Sequence, residues 1–392
     1  DACGLGAVYG GATFCSWYPI TPSTSVAEGF EKYASKYRVD PQTGKNNYIS
    51  VQAEDELAAV GMAIGANWNG ARGFTATSGP GISLMSEFLG LAYFAEVPLV
   101  IFNIQRGGPS TGMPTRTQQS DILSCAYASH GDTKHVLLFP EDPQECFEFS
   151  AEAFNLAERL QTPVFVISDL DIGMNDWVTD KFEWDDEQKY DRGKVLKAED
   201  LDKMDSFGRY LDVDDDGICY RTYPGTHPEK GAFFTRGTSH DEYARYTENG
   251  DINEQTLTRL VKKFRTASEL VPDPIINLSE KQGSSGVIFY GSTSAAMYEA
   301  KDILNENNID VDLMRIRSFP FNLDVWEFIE NHDLIYVIEQ NRDSQMRTLI
   351  MAEGGISAEK LRSLVWFNGD PIQAKFIAKK IYERESQQAL IT

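Results

Sequence analysis

The sequence is short of cysteine and of positive charge. Its 392 residues include five cysteines, Cys3, Cys15, Cys125, Cys146 and Cys219. The number is odd, the spacings are wide and no CxxC pair occurs. That pattern argues against a disulfide framework and fits buried thiols in a reduced, cytosolic compartment. It also means that this chain cannot supply four clustered thiolates for an iron–sulfur centre. Lysine and arginine number 36 against 59 aspartates and glutamates, a net charge of −23. A chain so acidic is a poor polyanion binder, so neither nucleic acid nor an anionic membrane surface is an expected partner. No run of about 18 apolar residues is present to span a bilayer as a helix. The first residues show no basic-then-apolar signal pattern. No internal repeat or low-complexity tract occurs.

What is present is enough apolar sequence, 42% of residues, for packed cores. At roughly 100–200 residues per domain the length predicts two or three domains. Residues 1–168 alternate short apolar runs with helical patterns. Strands are expected at Phe14–Tyr18, Tyr48–Val51, Gly73–Thr77, Pro98–Ile104, His135–Phe139 and Pro163–Ser168. Helices are expected at Ser23–Lys36, Glu54–Trp68, Ile82–Ala95, Gln118–Ser129 and Asp142–Leu160, with Ser23 and Asp142 as caps. Such alternation predicts an α/β fold with a parallel sheet covered on both faces.

Residues 169–270 differ in kind. Asp169 to Asp216 carries 17 acidic and 7 basic residues, so almost half the net charge sits in 48 positions. Aromatics such as Trp184, Tyr190, Tyr210, Tyr223 and Phe233 argue against disorder. The segment reads as an ordered, loop-rich insertion ending in an amphipathic helix at 252–270, with a linker at Val271–Ser285. Alternation resumes from Gly286. Strands are expected at Val287–Tyr290, Asp310–Ile316, Leu334–Ile338 and Leu364–Phe367, and helices at Thr293–Asn307, Leu323–Glu330, Ser344–Met351 and Pro371–Glu385. Residues 271–392 thus form a second, smaller α/β unit.

Four motifs fall between strands and helices, where open α/β sheets place ligands. Tyr18-Pro19-Ile20-Thr21-Pro22-Ser23 follows the first strand; two prolines stiffen it, and it also reads simply as a rigid turn. Glu54-Asp55-Glu56-Leu57 opens a helix whose next residues are small and apolar, among them Gly61 and Gly65. Three acids there complement the helix dipole. The small face equally suits tight packing against another subunit or domain, where desolvation disfavours a carboxylate's charged form. A neutral carboxylic acid can exchange a proton. Thr77-Ser78-Gly79-Pro80-Gly81 lets backbone approach a ligand at a helix start that favours anions, without the Gly-Lys-Ser/Thr of a Walker loop. Gly4–Gly11 clusters glycines but follows no strand, which counts against dinucleotide binding. The fourth motif, Gln105 to Arg116, is a Gly/Pro-rich loop after the most apolar strand. Arg106 is placed there to clamp a carboxylate, or is an ordinary surface arginine.

Together these motifs resemble the α subunit of 2-oxoacid:ferredoxin oxidoreductases, the thiamine-diphosphate and iron–sulfur family. The resemblance runs the length of the chain, and Tyr-Pro-Ile-Thr-Pro-Ser is its most specific signature. Ser168-Asp169-Leu170-Asp171, Tyr223-Pro224-Gly225-Thr226-His227 and the acidic insertion look most like the branch acting on 2-oxoglutarate. The resemblance implies that residues 1–168 form a pyrimidine-binding-type domain and 271–392 a transketolase C-terminal-like domain. It implies that Glu56, nine residues before Gly65, shares a proton with the pyrimidine ring nitrogen of thiamine diphosphate and so activates the thiazolium carbon. Pro19, Ile20, Thr21, Thr77, Ser78 and Gly79 would line the cofactor, and Thr21, Arg106, Ser110 and Thr111 the 2-oxoacid. Arg116 is the candidate for a distal carboxylate.

The diphosphate-binding Gly-Asp-Gly…Asn motif with its Mg²⁺ and the cysteines of a 4Fe–4S cluster are missing. The family places them on a β subunit, in an (αβ)2 heterotetramer, so this chain should hold half an active site. The expected activity is reversible, CoA-dependent oxidative decarboxylation of a 2-oxoacid, with electrons passed to ferredoxin. Ferredoxins are generally acidic, so electrons should leave through the β subunit rather than across this acidic surface. The long form of the α subunit has a further N-terminal domain, so the sequence fits either a fragment or a natural short form. A lipoate-dependent dehydrogenase β component or a transketolase-like enzyme shares the domain plan, and a structural subunit is the non-enzymatic alternative. Finally, Asp212-Val213-Asp214-Asp215-Asp216-Gly217 matches the first half of a calcium loop. Tyr223 stands where the bidentate glutamate would be, which leaves either a partial divalent-cation site on Asp212, Asp214 and Asp216 or an acidic turn. Arg221 and His227, just downstream, are weaker site candidates.

Overall fold

The computed structural model describes residues 1–279 and 285–389. Part of the expected linker, 280–284, therefore lies outside the described residues. Twelve strands and thirteen helices are formed among those described. The first unit contains β1 (Phe14–Trp17), β2 (Ile49–Gln52), β3 (Gly73–Thr77), β4 (Leu99–Gln105), β5 (Val136–Leu138) and β6 (Pro163–Asp169). Its helices are α1 (Ala2–Tyr9), α2 (Thr24–Tyr37), α3 (Glu56–Trp68), α4 (Gly79–Phe94), α5 (Ile122–Ala126), α6 (Pro143–Leu160) and α7 (Leu170–Met174). The insertion adds α8 (Ala198–Asp202) and α9 (Gly250–Ala267). The second unit contains β7 (Ile275–Asn277), β8 (Ser285–Phe289), β9 (Asp312–Arg315), β10 (Ser318–Phe319), β11 (Leu334–Glu339) and β12 (Leu361–Val365). Its helices are α10 (Thr293–Glu306), α11 (Leu323–Glu330), α12 (Gln345–Gly354) and α13 (Ala374–Ala389).

The larger sheet has the order β10-β5-β6-β4-β3-β1-β2. It is parallel except for β10, which runs antiparallel to β5. The central strands β4 and β6 are buried at every residue, as strands covered on both faces must be. The smaller sheet has the order β12-β11-β8-β9-β7, with β7 its antiparallel edge. The segment expected as linker thus donates an edge strand, and β10 of the second unit closes one edge of the first unit's sheet. Neither short strand has an apolar run long enough to announce itself. The strand order reverses between β1 and β3 in the larger sheet and between β8 and β11 in the smaller. Those reversals open crevices outside the strands' carboxyl ends.

The amino-terminal glycines serve packing. They lie on or just after α1, where a Cβ at Gly4 would come within 2.5 Å of the Phe30 amide nitrogen and one at Gly6 would collide with the Phe147 carbonyl. Their absent side chains let α1 sink against α2 and α6. The aromatics of the insertion pin it to the body. Phe182 stacks on Phe147 at 4.8 Å, Trp184 packs on Tyr9 and Tyr37, and Tyr190 covers Arg72. Beneath it lies a buried ionic centre in which Glu96 receives Arg259 and Lys263. Burial pushes the Glu96 carboxyl up, but these two cations outweigh it and hold the group well below the usual range. Among the described residues no helix is long and apolar enough to cross a membrane.

One buried ion pair couples the two units. Arg315 of β9 is 1% exposed and reaches the Glu145 carboxylate of α6 through two bonds of 2.6 and 2.8 Å. Arg317 adds a third at 2.9 Å. Replacing Arg315 by Ala leaves much of a buried charge unmet. The expected loss is about 3 kcal/mol, read as a lower denaturant midpoint; an unchanged midpoint would show that the pair does not hold the units together.

Candidate active site

The turn after β1 enters the crevice where the larger sheet reverses. Its shape is set by hydroxyls. Thr24 Oγ1 accepts the Ile20 amide at 2.9 Å, and Ser23 Oγ donates to the Ile20 carbonyl at 3.2 Å. Ser23 is therefore spent on the turn and makes no side-chain cap bond to α2, contrary to the expectation from sequence. Pro19 and Thr21 are exposed and Ile20 is half-buried.

Arg106, directly after β4, joins this turn to its own loop. Its Nη1 donates to the Thr21 carbonyl at 2.8 Å and its Nη2 to the Thr111 carbonyl at 3.1 Å. The side chain is 8% exposed, and its Nε is buried without a partner. The loop closes through Met113 N to Gly107 O, 2.7 Å, and Gly107 N to Arg116 O, 2.8 Å. Gly112 makes that closure possible: it sits at φ +53°, where a Cβ would strike the Gly107 carbonyl. Ser110 and Thr111 are exposed at the tip. Arg116 faces the other way, 3.7 Å from Asp370 of the second unit.

The acidic helix start divides its three residues. Glu54 is exposed, Asp55 caps α3 by accepting the Ala58 amide at 2.6 Å, and Glu56 is buried at 7% exposure. Gly81, in the first turn of α4, lies against Glu56. A Cβ there would be 2.9 Å from Glu56 Cγ and would overlap the Thr77 hydroxyl. Thr77 and Ser78 are fully buried, and Ser78 Oγ has no partner. Glycines thus let the start of α4 close on Glu56, while an unpaired hydroxyl remains beside it.

Sequence reasoning missed Asp121. Residues 118–129 read as one helix, whereas α5 begins only at Ile122 and the residues before it form a loop. Asp121 stands at the N-cap of α5 but makes no side-chain cap bond. Its carboxylate accepts Asn103 Nδ2 at 3.2 Å and packs on Gly79, where a Cβ would lie 2.9 Å away. Burial pushes this carboxyl up to about 6, against the pull of the Asn103 bond and of Arg106. Asp121, Arg106, Gly79 and Ser110 line a cleft of about 520 Å³ whose other wall is Asn341, Arg342 and Phe367 of the second unit. An acidic residue between a loop and an apolar run is the one signal that could have flagged it.

The calcium-like segment is an acidic turn. Asp212 accepts the amides of Asp216 and Gly217, at 3.2 and 3.0 Å. Lys194 lies 2.7 Å from Asp214 and 2.8 Å from Asp216, and Lys262 neutralises Asp215. Among the described residues no three His, Cys, Asp or Glu side chains converge to hold a metal ion. The cation reading of Asp212, Asp214 and Asp216 is corrected accordingly: lysines and backbone amides occupy the positions an ion would need. Arg221 and His227 are not on the cleft either. Arg221 is buried on Glu158, and His227 Nδ1 accepts the amides of Glu229 and Lys230.

Residues 5–265 match the family model described as pyruvate flavodoxin/ferredoxin oxidoreductase, thiamine diphosphate-binding. The chain is 36% identical to the 2-oxoacid:ferredoxin oxidoreductase 1 subunit alpha of Sulfurisphaera tokodaii, over 94% of this chain and 58% of that protein. It is likewise 36% identical to the 2-oxoglutarate synthase subunit KorA of Methanocaldococcus jannaschii, over 82% of this chain and 81% of the relative. The chain therefore spans less than two thirds of the length of the first of these relatives. Among solved structures it resembles the 2-oxoglutarate:ferredoxin oxidoreductase of Magnetococcus marinus with 2-oxoglutarate, coenzyme A and succinyl-CoA bound. That match has a TM-score of 0.84 and 29% identity, covering 98% of this chain and 64% of the other. A split-gene transketolase shares the fold at TM-score 0.54 and 10% identity, covering 97% and 96% of the two chains.

Exchange of Gly81 for Ala forces Thr77 and Glu56 aside. The expected loss is roughly 1–3 kcal/mol of overpacking, measured by denaturant unfolding. A wild-type midpoint would mean that the start of α4 is not closed on Glu56.

Proposed function

The chain belongs to the pyruvate flavodoxin/ferredoxin oxidoreductase family, and from that membership we propose that it is the α subunit of a 2-oxoglutarate:ferredoxin oxidoreductase. The proposed reaction converts 2-oxoglutarate, CoA and two oxidised ferredoxins to succinyl-CoA, CO2, a proton and two reduced ferredoxins, reversibly. The observation that supports this reading is Arg106, which lines the cleft and is bonded to the Thr21 carbonyl, with Glu56 buried beneath the start of α4. Gly81 packs on Glu56 while Gly79, two residues earlier, lines the cleft with Arg106.

The residues present fit thiamine diphosphate and an anionic substrate. Ser78 Oγ and Arg106 Nε are buried polar atoms without partners, which a ligand would satisfy. When bound, thiamine diphosphate supplies a carbanion-stabilising centre for attack on the 2-oxo group and loss of CO2. In this proposal Glu56 holds the proton exchanged with the pyrimidine ring. Pro19, Ile20, Thr21, Thr77, Ser78 and Gly79 exclude water from that side. Arg106 orients the substrate carboxylate with Thr21, Ser110 and Thr111. Its Nη1 and Nη2 each give one N–H to a carbonyl, which fixes the fork and leaves its other N–H groups for a carboxylate. Arg116 is proposed for the distal carboxylate, a role that requires it to leave Asp370. A β subunit supplies the diphosphate site with Mg²⁺ and the 4Fe–4S cluster, in an (αβ)2 assembly that passes electrons to ferredoxin. A cytoplasmic setting follows, supported by five free, buried thiols.

The assembled enzyme, assayed by CoA-dependent ferredoxin reduction across several 2-oxoacids, tests the proposal. Glu56→Ala should lower kcat by roughly 100-fold or more; full activity would make this a structural subunit. Arg106→Lys should raise KM for 2-oxoglutarate roughly 10–100-fold through lost charge-assisted bonds. An unaltered preference for 2-oxoglutarate over pyruvate in Arg116→Ala would remove Arg116 from the site.

A further inference from the structure

Asp121 has no part in the chemistry assigned so far, yet it lies in the same cleft. Among the described residues Arg106 is the cation that acts on its charge. From β4 it meets Asn103 Nδ2, and Arg106, next after that strand, lines the same cleft and pulls on its charge. From α5 it meets Cys125, whose buried thiol is pushed up well out of its ordinary range. The start of α4 presents Gly79, with Glu56 behind Gly81. Across the cleft Arg342 is bound to its neighbour Asp343, 2.7 Å away, so that pair adds little net charge. Arg106 therefore offsets part of the Asp121 charge in the cleft. An anion seated on Arg106 removes that offset and leaves two negative charges in a partly desolvated space.

We propose that Asp121 is a positioning residue that takes up a proton when the carboxylate of the substrate engages Arg106, so that binding of a 2-oxoacid and protonation of Asp121 are linked. The inference rests on the reading of Arg106 as the carboxylate clamp. The carboxyl is the acid of a buried site that becomes harder to ionise as negative charge arrives. Affinity for the substrate anion must then fall as pH rises and Asp121 ionises, and binding must draw protons from solution above about pH 6. The neutral carboxyl keeps one oxygen as acceptor for Asn103, so the wall of the cleft holds its shape through the change.

The test compares the assembled wild-type enzyme with Asp121→Asn, which preserves shape and the Asn103 bond. KM for 2-oxoglutarate should rise roughly tenfold between pH 6 and pH 8 in the wild type and stay within about twofold in Asp121→Asn, while kcat moves far less. Proton uptake is counted by calorimetry in two buffers of different ionisation enthalpy, with glutarate as the probe. Glutarate carries the carboxylates without the reactive 2-oxo group. Wild type should take up a fraction of a proton per glutarate at pH 7, and Asp121→Asn none. Equal pH profiles or equal proton counts in the two proteins overturn the linkage. An assembly inert to every 2-oxoacid sinks the functional reading alone, because the glutarate count still decides the linkage. Asp121→Ser serves as a second variant should Asp121→Asn fail to assemble, and the same flat profile is expected of it.

Discussion

Gln119 fixes the two sheets of this chain relative to each other. Its Nε2 donates to the Tyr290 carbonyl at 3.2 Å and to Asp169 at 3.3 Å. Its Oε1 accepts the Gln340 amide at 3.2 Å. Its main-chain amide donates to the Gln340 carbonyl at 2.8 Å, and its carbonyl accepts Asn341 Nδ2 at 2.9 Å. Asp169 ends β6, Tyr290 follows β8 and Gln340 follows β11, so one residue ties together the carboxyl ends of three strands from two sheets. Every group in this seam is buried, and each would lose a partner if the units shifted. A buried hydrogen-bonded network penalises displacement more steeply than apolar contact does, because polar groups that lose their partners are expensive in low dielectric.

That seam decides where the cleft can be. Gln119 stands two residues before Asp121, and Asn341 belongs to both the seam and the cleft wall. The reversal points of both sheets are thereby turned toward one space. Arg315 and Glu145 add a second joint, and β10 completes the larger sheet with backbone from the second unit. The relative placement of the units is thus set at three separate points, which leaves the loops of Arg106 and Asn341 facing each other across a constant gap. Preorganisation of this kind lets Arg106 hold its orientation through carbonyls before any anion arrives.

Much of this was legible in the sequence, because the strands of the first unit are either continuous apolar runs or bounded by Gly and Pro. Gly73–Thr77 is the same strand in both readings, β6 runs one residue longer than expected, and β4 is shifted by one residue at both ends. The four motifs stand at the strand ends and helix starts expected of them, although α4 begins at Gly79, inside the third motif, and Glu56 rather than Glu54 is the buried acid. Three kinds of feature were not legible. Strands of two or three residues, β7 and β10, form only because a sheet edge is waiting for them, β9 of its own unit for β7 and β5 of the other unit for β10, and local periodicity carries no trace of that. The glycine-rich stretch that forms α1 was assigned no element, because helix propensity counts against glycine, while close helix packing requires it at Gly4 and Gly6. Gln119 and Asp121 were hidden by an apolar periodicity that runs on through Ile122 and Leu123, so a loop with polar duties was read as helix.

The acidic composition acquires a structural meaning from the same comparison. In the Asp212–Gly217 turn the carboxylates are met by Lys194 and Lys262 and by backbone amides, so much of the local charge is internally neutralised. The strongest electrostatics are buried elsewhere. Glu96 with Arg259 and Lys263, and Glu158 with Arg221 and Arg192, hold the insertion to the body away from the cleft. A buried carboxylate surrounded by fixed cations stays ionised, whereas Asp121, with one cation it must share with any incoming anion, does not have its charge fixed. The difference between an acid that anchors the fold and an acid that can respond to a ligand lies in that ratio of partners. It is set by which chain segments the fold brings past each carboxyl, and the number of acidic residues in the sequence carries no information about it.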